Sequence, residues 1–229
     1  MLNFFILILI YTCIYAFMSL GQNLITGYSG MLSLCAAGFF AVGSYTTAIL
    51  TTSFGWSFWA TLPIAALLSA LMGVLIGLPT LRLKGDYLAI ATLGFAEIVR
   101  NIINNWDALT NGPMGIQRIP MITIFGIKIS PYQKYGFLLM EIIMLLICWF
   151  LFERLASSRM GRALEAIRED EIAANSMGIN VTKYKVVSFA LGAAVTGIAG
   201  CLQAEFTLSV SPGSYVFMVS IMILCTVVL

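Results

Sequence analysis

The sequence predicts an all-α fold, a polytopic bundle of transmembrane helices, and two features carry that prediction. The chain has 229 residues, of which 60% are hydrophobic and 10% are charged. Soluble domains carry about 25% charged residues, so this chain has too few to cover a surface exposed to water. Apolar stretches of about 20 residues, the length that crosses a bilayer as a helix, recur along it. Residues 1–229 are therefore predicted to form a single transmembrane domain in a lipid bilayer.

Six apolar stretches are long enough to be spans, and a seventh is shorter. The first has no preceding Lys or Arg, which favours a retained span over a cleaved signal peptide. The seventh has fifteen residues, which is short for a span, so we expect the protein to continue beyond its end. The stretches are Leu2–Leu20, Met31–Thr52, Trp56–Leu81, Tyr87–Asn105, Tyr135–Phe152, Val186–Phe206 and Tyr215–Leu229.

The basic residues predict the orientation, because cytoplasmic loops carry an excess of Lys and Arg. The first 81 residues have no charge, Arg82 and Lys84 follow the third stretch, and the 153–185 loop has six basic residues. Placing both basic segments in the cytoplasm puts the 105–134 loop outside. That outer loop carries three basic residues, so the bias is imperfect.

The 105–134 loop is rich in Gly, Pro and Asn, which predicts turns. Its segment MITIFGIKIS favours a short β-hairpin. A loop of this length is either a connector or a docking or lid segment, and both interpretations stay open.

Small residues recur at four-residue steps inside two of the stretches. Gly73 and Gly77 share a helix face, and so do Ala193 and Gly197. Small side chains let helix backbones approach closely in a membrane. We interpret these positions as helix-packing sites, which any helical membrane protein needs and which indicate no particular activity.

The fourth stretch carries ionisable residues at depth. A row of polar residues recurs there at three- and four-residue steps and shares one helix face: Glu97, Arg100, Asn101 and Asn104. An unpaired charge at mid-span costs at least about 2.5 kcal/mol, so we expect this face to point into the bundle or a wet cavity. It is either a structural Glu97–Arg100 pair or the polar wall of a translocation path. Glu141 and Glu205 lie near the ends of their stretches and are expected at the membrane interface.

Residues 158–185 hold nine of the 22 charged residues of the chain. Apolar residues recur at helical steps within 158–178, Met177 among them, and most charges lie off that row, which predicts one or two short amphipathic helices. Gly178 is typical of a helix C-terminus. The segment is a solvated connector, a helix in the lipid headgroups or a docking surface for a cytoplasmic protein. Its net charge of +1 argues against a purely lipid-binding helix.

Several chemistries lack support in the sequence. It has no His and no CxxC, and its five Cys lie in apolar stretches, so no metal site and no catalytic residue is predicted. No basic stripe predicts a nucleic-acid partner. The sequence has no GxxxxGK[ST] phosphate loop, so no cofactor is expected in this chain. If ATP drives transport, a separate subunit hydrolyses it and needs a contact such as the charged loop.

Three ordered blocks resemble the permeases of branched-chain amino acid ABC importers, in particular their LivM-like group. They are GRALEAIREDEIAANSMGINVTKYK at 161–185, GYSGMLSLCAAGFFAVGSYTTAIL at 27–50 and LPTLRLKGDYLAIATLGFAEIVRNIINNWDALTNGPMGI at 78–116. The coupling motif of ABC importers is EAA followed three residues later by Gly. Here Ala173, Ala174 and Gly178 keep that spacing, while the acid, Glu171, sits one place early.

The resemblance implies a multi-pass subunit of the bacterial inner membrane that is not itself an enzyme. It would import branched-chain amino acids together with a second homologous permease, two cytoplasmic ATPases that bind Mg-ATP, and an extracytoplasmic substrate-binding protein. The ATPases would grip 153–185, the cytoplasmic coupling loop, and the coupling residues would be Gly161, Arg162, Glu165, Arg168, Glu171, Ala173, Ala174 and Gly178. Glu97, Asn101 and Asn104 would line the translocation path.

Three rival functions stay open at this point. A permease for urea or short amides has membrane subunits of the same kind. An ion-coupled secondary transporter would need no ATPase. A membrane subunit with a structural role and no transport activity is the third.

Overall fold

A computed structural model describes residues 2–80, 83, 85–124, 127–128 and 134–229. The predicted all-α class is confirmed. The α-helices of the described residues are α1 (Leu2–Gln22), α2 (Ala36–Ser53), α3 (Phe58–Thr80), α4 (Asp86–Asn105), α5 (Asp107–Thr110), α6 (Lys134–Ala156), α7 (Arg159–Glu169), α8 (Glu171–Ser176), α9 (Val181–Thr207) and α10 (Phe217–Val228). A π-helix, Asn23–Tyr28, continues α1, and short 3₁₀ helices cover Gly112–Met114 and Pro212–Ser214.

The strands in the described residues have two residues each. β1 (Ile116–Gln117) pairs antiparallel with β4 (Ser209–Val210), which follows α9. β2 (Thr123–Ile124) pairs antiparallel with β3 (Ile127–Lys128), and this is the hairpin predicted within MITIFGIKIS. Arg82 and Lys84, which contributed to the predicted orientation, lie outside the described residues.

Four helical segments of the described chain are long and apolar enough to cross a membrane, namely Phe4–Tyr28, Phe58–Thr80, Tyr135–Ala156 and Val181–Thr207. The second and fourth predicted spans are also helices, α2 and α4, but they are more polar. Twelve of the 18 residues of α2 are buried, and the helix packs against α3 and α9. Ser44, Thr47 and Thr51 are among the buried residues, so these polar side chains face protein and not lipid.

The helix α9 is the centre of the bundle, where it packs against α1, α2 and α3. Small residues make these approaches possible. A Cβ added to Gly73 on α3 would lie 2.6 Å from the Phe189 carbonyl oxygen and 2.8 Å from the Ala193 Cβ. A Cβ on Gly197 would collide with Ser69 of α3, whereas one on Gly77 would find its nearest atom at 3.5 Å. Three of the four predicted packing positions therefore lie at tight α3–α9 contacts, and Gly77 lies at an ordinary one.

The two ends of the bundle differ in what they carry. α7 and α8 lie between the end of α6 and the start of α9. α6 has 23 residues and is about 35 Å long, so its other end lies far from α7. That opposite end carries the described part of the 105–134 segment, and there β1 pairs with β4 just after α9. We call these the α7–α8 end and the loop end.

Residues 29–35 are not helical, although the second span was predicted to start at Met31. Gly30 has a φ of 68°, a left-handed conformation that stops the preceding helix. The buried Gln22 donates from Nε2 to the Ser33 carbonyl at 2.7 Å, and Leu34 N–H donates to Thr92 Oγ1 of α4 at 2.9 Å. Irregular backbone is tolerated at membrane depth only where protein groups satisfy it, and these side chains do so.

Two carboxylates are buried, contrary to the prediction that they lie at the interface. Glu141 of α6 is fully buried, and Glu205 near the end of α9 is 2% exposed. Within the described part of the chain, no group donates a hydrogen bond to either carboxylate. Their positions near span ends suggested access to water, but α6 packs on α1 and α9 packs at the centre of the bundle.

Candidate functional site

The charged loop folds into the two short helices α7 and α8, as its periodicity predicts. Ser158 caps α7, because its side chain accepts from Met160 N–H at 3.1 Å. Asp170 caps α8 by accepting from Ile172 N–H at 2.8 Å and from Ala173 N–H at 3.0 Å. Gly178 follows α8 with a φ of 83°, the left-handed conformation in which many helices end. Local capping therefore defines both helices independently of any partner.

Two polar contacts fasten this pair of helices to the bundle. Lys185 of α9 is 7% exposed, and its Nζ lies 2.9 Å from Glu171 Oε2 of α8. Arg168 of α7 donates from Nη1 to the carbonyl oxygen of Gly27 in the π-helix at 2.6 Å. A small apolar cluster that includes Ile167, Ala174 and Val181 joins α7, α8 and α9 beneath them. A force applied to α7 or α8 would therefore reach α1 and α9 directly.

The residues predicted to contact an ATPase fall into two groups. Gly161 and Ala174 are buried, and Arg168 and Glu171 are engaged in the contacts just described. The others are exposed on the outer surface: Arg162, Glu165, Ala173 and Gly178. Arg162 donates to the Ser157 carbonyl oxygen at 2.9 Å. Half of the predicted coupling residues are thus buried or bonded to the bundle, and the other half are exposed and can contact another protein.

Sequence reasoning missed the apolar residues that project from α8. Met177 is 83% exposed and Ile172 is 75% exposed. The amphipathic pattern placed Met177 on the same apolar row as Ile167 and Ala174, which are buried, whereas Met177 is exposed. α8 ends one residue before Met177, so the helical period no longer fixes where this side chain points. The signal available in the sequence was the isolated Ile172 among acidic residues.

The polar row of α4 contains a formed ion pair. Arg100 Nη2 lies 2.7 Å from Glu97 Oε2, and Arg100 Nε donates to the same oxygen at 2.9 Å. About a third of each side chain is exposed, 35% for Arg100 and 31% for Glu97. Asn101 is exposed and Asn104 is half-buried.

The row lies on a flank of α4, between its buried side and its most exposed side. The buried side supplies Leu88, Thr92, Ala96, Val99 and Ile103, and the most exposed side carries Ile90, Ile98 and Ile102. Glu97, Arg100 and Asn104 are half-buried, so this chain covers the row only in part, and its place in the bundle or at a wet cavity stays a prediction. Lipid is a costly environment for this pair, so another surface of protein or water is needed opposite it.

Comparisons with known proteins show the family of this chain. Residues 4–229 match the model of the family described as "Branched-chain amino acid transport system / permease component". The chain belongs to this family. No solved structure matches the chain.

Curated relatives of the family include the protein named "High-affinity branched-chain amino acid transport system permease protein LivM" in Salmonella typhimurium and in Escherichia coli. Each is 42% identical over 95% of this chain, and the chain spans 56% of the length of each. A "Nucleoside ABC transporter permease protein NupC" of Lactococcus lactis is 22% identical over 86% of the chain. Proteins similar to this chain are thus named for different substrates, so similarity alone does not decide the substrate.

Proposed function

We propose that this chain is a membrane-spanning permease subunit of an ATP-driven importer of branched-chain amino acids. One observation carries the proposal: α7 and α8 form a rigid, exposed unit that is fastened to α1 and α9 by Arg168–Gly27 and Lys185–Glu171 contacts. A unit of this kind can transmit the motion of an external protein into the membrane helices. The similarity to the LivM proteins supports the substrate class.

The partner at the α7–α8 end would be an ATPase subunit. Ile172 and Met177 give α8 two large apolar side chains that water solvates poorly, and the exposed Arg162 and Glu165 surround α7 with charge. An apolar centre with a charged rim is the usual organisation of a specific protein interface. ATP would act in the ATPases, which would bind Mg-ATP, and this chain would hold no cofactor. This end of the bundle would lie in the bacterial cytoplasm, and the bundle would cross the inner membrane.

A second, homologous permease would face the polar row of α4. Glu97 and Asn104 are half-buried and Asn101 is exposed, so this chain leaves part of the row uncovered, and the row is too polar for lipid. Two such surfaces placed opposite each other would enclose a path with polar walls. An extracytoplasmic binding protein would deliver the amino acid at the loop end.

The transport experiment uses native cells in which the chromosomal copy is deleted and then restored. We expect the restored gene to recover uptake of labelled leucine. This uptake should be insensitive to excess urea, and ATP depletion should abolish it. A protonophore that leaves the ATP pool intact should have little effect. Competition by urea would indicate the amide permease of the same family, and loss of uptake with the protonophore alone would indicate an ion-coupled transporter.

A further inference from the structure

The non-helical residues 29–35, which we call the strap, contact α7 near one end and α4 near the other. Gly30 lies against α7, where a Cβ added to this glycine would come within 2.9 Å of the Arg168 Cγ. Leu34 N–H donates to Thr92 Oγ1 of α4 at 2.9 Å. The strap therefore connects the α7–α8 end of the molecule with the helix that carries the polar row.

The contact between the strap and α7 is polar as well as steric. Arg168 Nη1 donates to the carbonyl oxygen of Gly27 at 2.6 Å, just before the strap begins. Gly27 belongs to the π-helix Asn23–Tyr28, and π-helical turns are rare and occur frequently at functional sites. Gly30 has a φ of 68°, which favours glycine, and the absence of a side chain there lets Arg168 pack closely. A displacement of α7 would therefore act on the start of the strap by direct contact.

The contact between the strap and α4 is a buried hydrogen bond. Thr92 is fully buried, and its hydroxyl accepts from Leu34 N–H while donating to the Ala89 carbonyl of its own helix at 2.9 Å. Separating the strap from α4 would leave a backbone donor without its partner, which is costly, so the two should move together. Thr92 precedes Glu97 by about 7.5 Å along the helix axis, so movement at Thr92 would also displace the polar row.

The middle of the strap is held by α1. Gln22 Nε2 donates to the Ser33 carbonyl oxygen at 2.7 Å, and both residues are buried. The same nitrogen donates to Thr26 Oγ1 of the π-helix at 2.8 Å. A segment fixed at its middle and at both ends transmits a displacement, whereas a loose loop would absorb it.

We propose that the strap transmits the movement of α7 to α4, so that the polar row changes position when α7 is displaced. Arg168 and Gly30 receive the movement, and the Leu34–Thr92 hydrogen bond delivers it. A partner drives a conformational change only through contacts that differ between the two states, and these are the contacts that would differ. The inference rests on the proposed function and deepens it, because it specifies how an ATPase at the α7–α8 end would act on the translocation path.

The test measures the amount of labelled leucine taken up per ATP hydrolysed. It uses proteoliposomes that contain the full chain with its partner permease, ATPases and binding protein. Thr92→Val removes the hydroxyl and preserves the shape of the side chain, and it should lower this ratio roughly fivefold, within the range for residues that couple distant sites. Thr92→Ser keeps the hydroxyl and should retain the wild-type ratio. A role confined to stability would lower uptake and hydrolysis together and leave the ratio unchanged.

Thr46→Val is the matched control for the threonine change. The Thr46 hydroxyl donates to the Val42 carbonyl at 2.7 Å, a bond within α2, so its loss should leave the ratio unchanged.

A second variant tests the other end of the strap and decides the question if Thr92→Val does not assemble. Gly30→Ala should lower the ratio as well, because its methyl group displaces Arg168. Gly55→Ala is the control for backbone strain, since Gly55 has a φ of 66° and an added Cβ there would meet nothing within 4 Å. It should keep the wild-type ratio.

Wild-type ratios in Thr92→Val and Gly30→Ala would overturn the role of the strap and leave the proposed function intact. Losses in Thr46→Val and Gly55→Ala as large as those in the strap variants would overturn it too. Absence of ATP-driven leucine uptake by the wild type would contradict the proposed function itself, and the role of the strap would fall with it.

Discussion

Glu97 and Arg100 form an ion pair one turn apart on α4, and about a third of each side chain is exposed. Pairs with this exposure contribute about 0–1 kcal/mol to stability, so their removal leaves the fold intact. In the assembled transporter the same pair would border the translocation path, where an unbalanced charge matters more. The two roles can therefore be separated by experiment.

Glu97→Gln should lower the maximal rate of leucine uptake about tenfold, equivalent to about 1.4 kcal/mol, while leaving the amount of protein in the membrane unchanged. The uncompensated Arg100 charge would face the translocation path and hinder the change between the conformational states of the transport cycle. The measurement is the initial uptake rate at saturating leucine, with membrane abundance determined by immunoblot. Asp86→Asn, an exposed acid at the start of the same helix, is the control and should transport normally. Normal kinetics in Glu97→Gln would assign the pair a purely structural role.

The pairing of Glu97 with Arg100 follows from their spacing, but the direction in which the pair points does not. In water, the apolar side of a helix faces the protein, whereas lipid is as apolar as the protein interior and removes that distinction. The role of Gln22 could not be predicted from the sequence either. Its partner, the Ser33 carbonyl, is eleven residues away and becomes available only where the second predicted span fails to be helical.

The contact between α3 and α9 shows how small residues decide helix packing. Gly73 and Gly77 together form one motif of small residues four apart, yet the surroundings of the two glycines differ. The Cβ of an alanine at 73 would lie 2.6 Å from the Phe189 carbonyl oxygen, and the Cβ of one at 77 would lie 3.5 Å from its nearest neighbour. The spacing therefore predicted a packing face on each helix, but not that the two helices contact each other or which glycine is essential.

Gly73→Ala should destabilise the bundle by about 1–3 kcal/mol, because the backbones of α3 and α9 must separate to admit the methyl group. Gly77→Ala should change stability by less than about 0.5 kcal/mol. The measurement is reversible unfolding in mixed micelles, with Gly94→Ala as a further control because its added Cβ would meet nothing within 4 Å. Equal losses at 73 and 77 would show that the α3–α9 distance is wrong.

The surface of α8 leads to a prediction about the ATPase contact. The double change Ile172→Asp with Met177→Asp should reduce co-purification of the ATPase subunits at least tenfold, because it places charge at the apolar centre of the proposed interface. Pull-down of the solubilised complex measures the effect. Met114→Asp, at a methionine that is 74% exposed at the loop end, is the matched control and should retain the ATPases. Retention by the double variant would exclude α8 as the docking surface.

The whole molecule combines features that the sequence predicts well with others that it does not. Helix content, the hairpin and the two short helices of the charged loop follow from local composition and capping, which a single sequence displays. The non-helical segment at 29–35 and the burial of Glu141 and Glu205 depend on contacts between distant segments. The described part of 105–134 lies at the opposite end of α6 from α7 and α8, and the assignment of each end to a side of the membrane stays a prediction.

The most direct measurement of the central claim is the accessibility of two engineered cysteines in intact cells. Met177→Cys marks the α7–α8 end and Met114→Cys marks the loop end, and both side chains are well exposed, at 83% and 74%. The exposed Cys225 is replaced by Ser in both variants. A membrane-impermeant maleimide should label the cysteine at 114 in intact cells and the cysteine at 177 only after the inner membrane is permeabilised. Labelling of the cysteine at 177 in intact cells would place α7 and α8 outside, where no ATPase could drive this subunit.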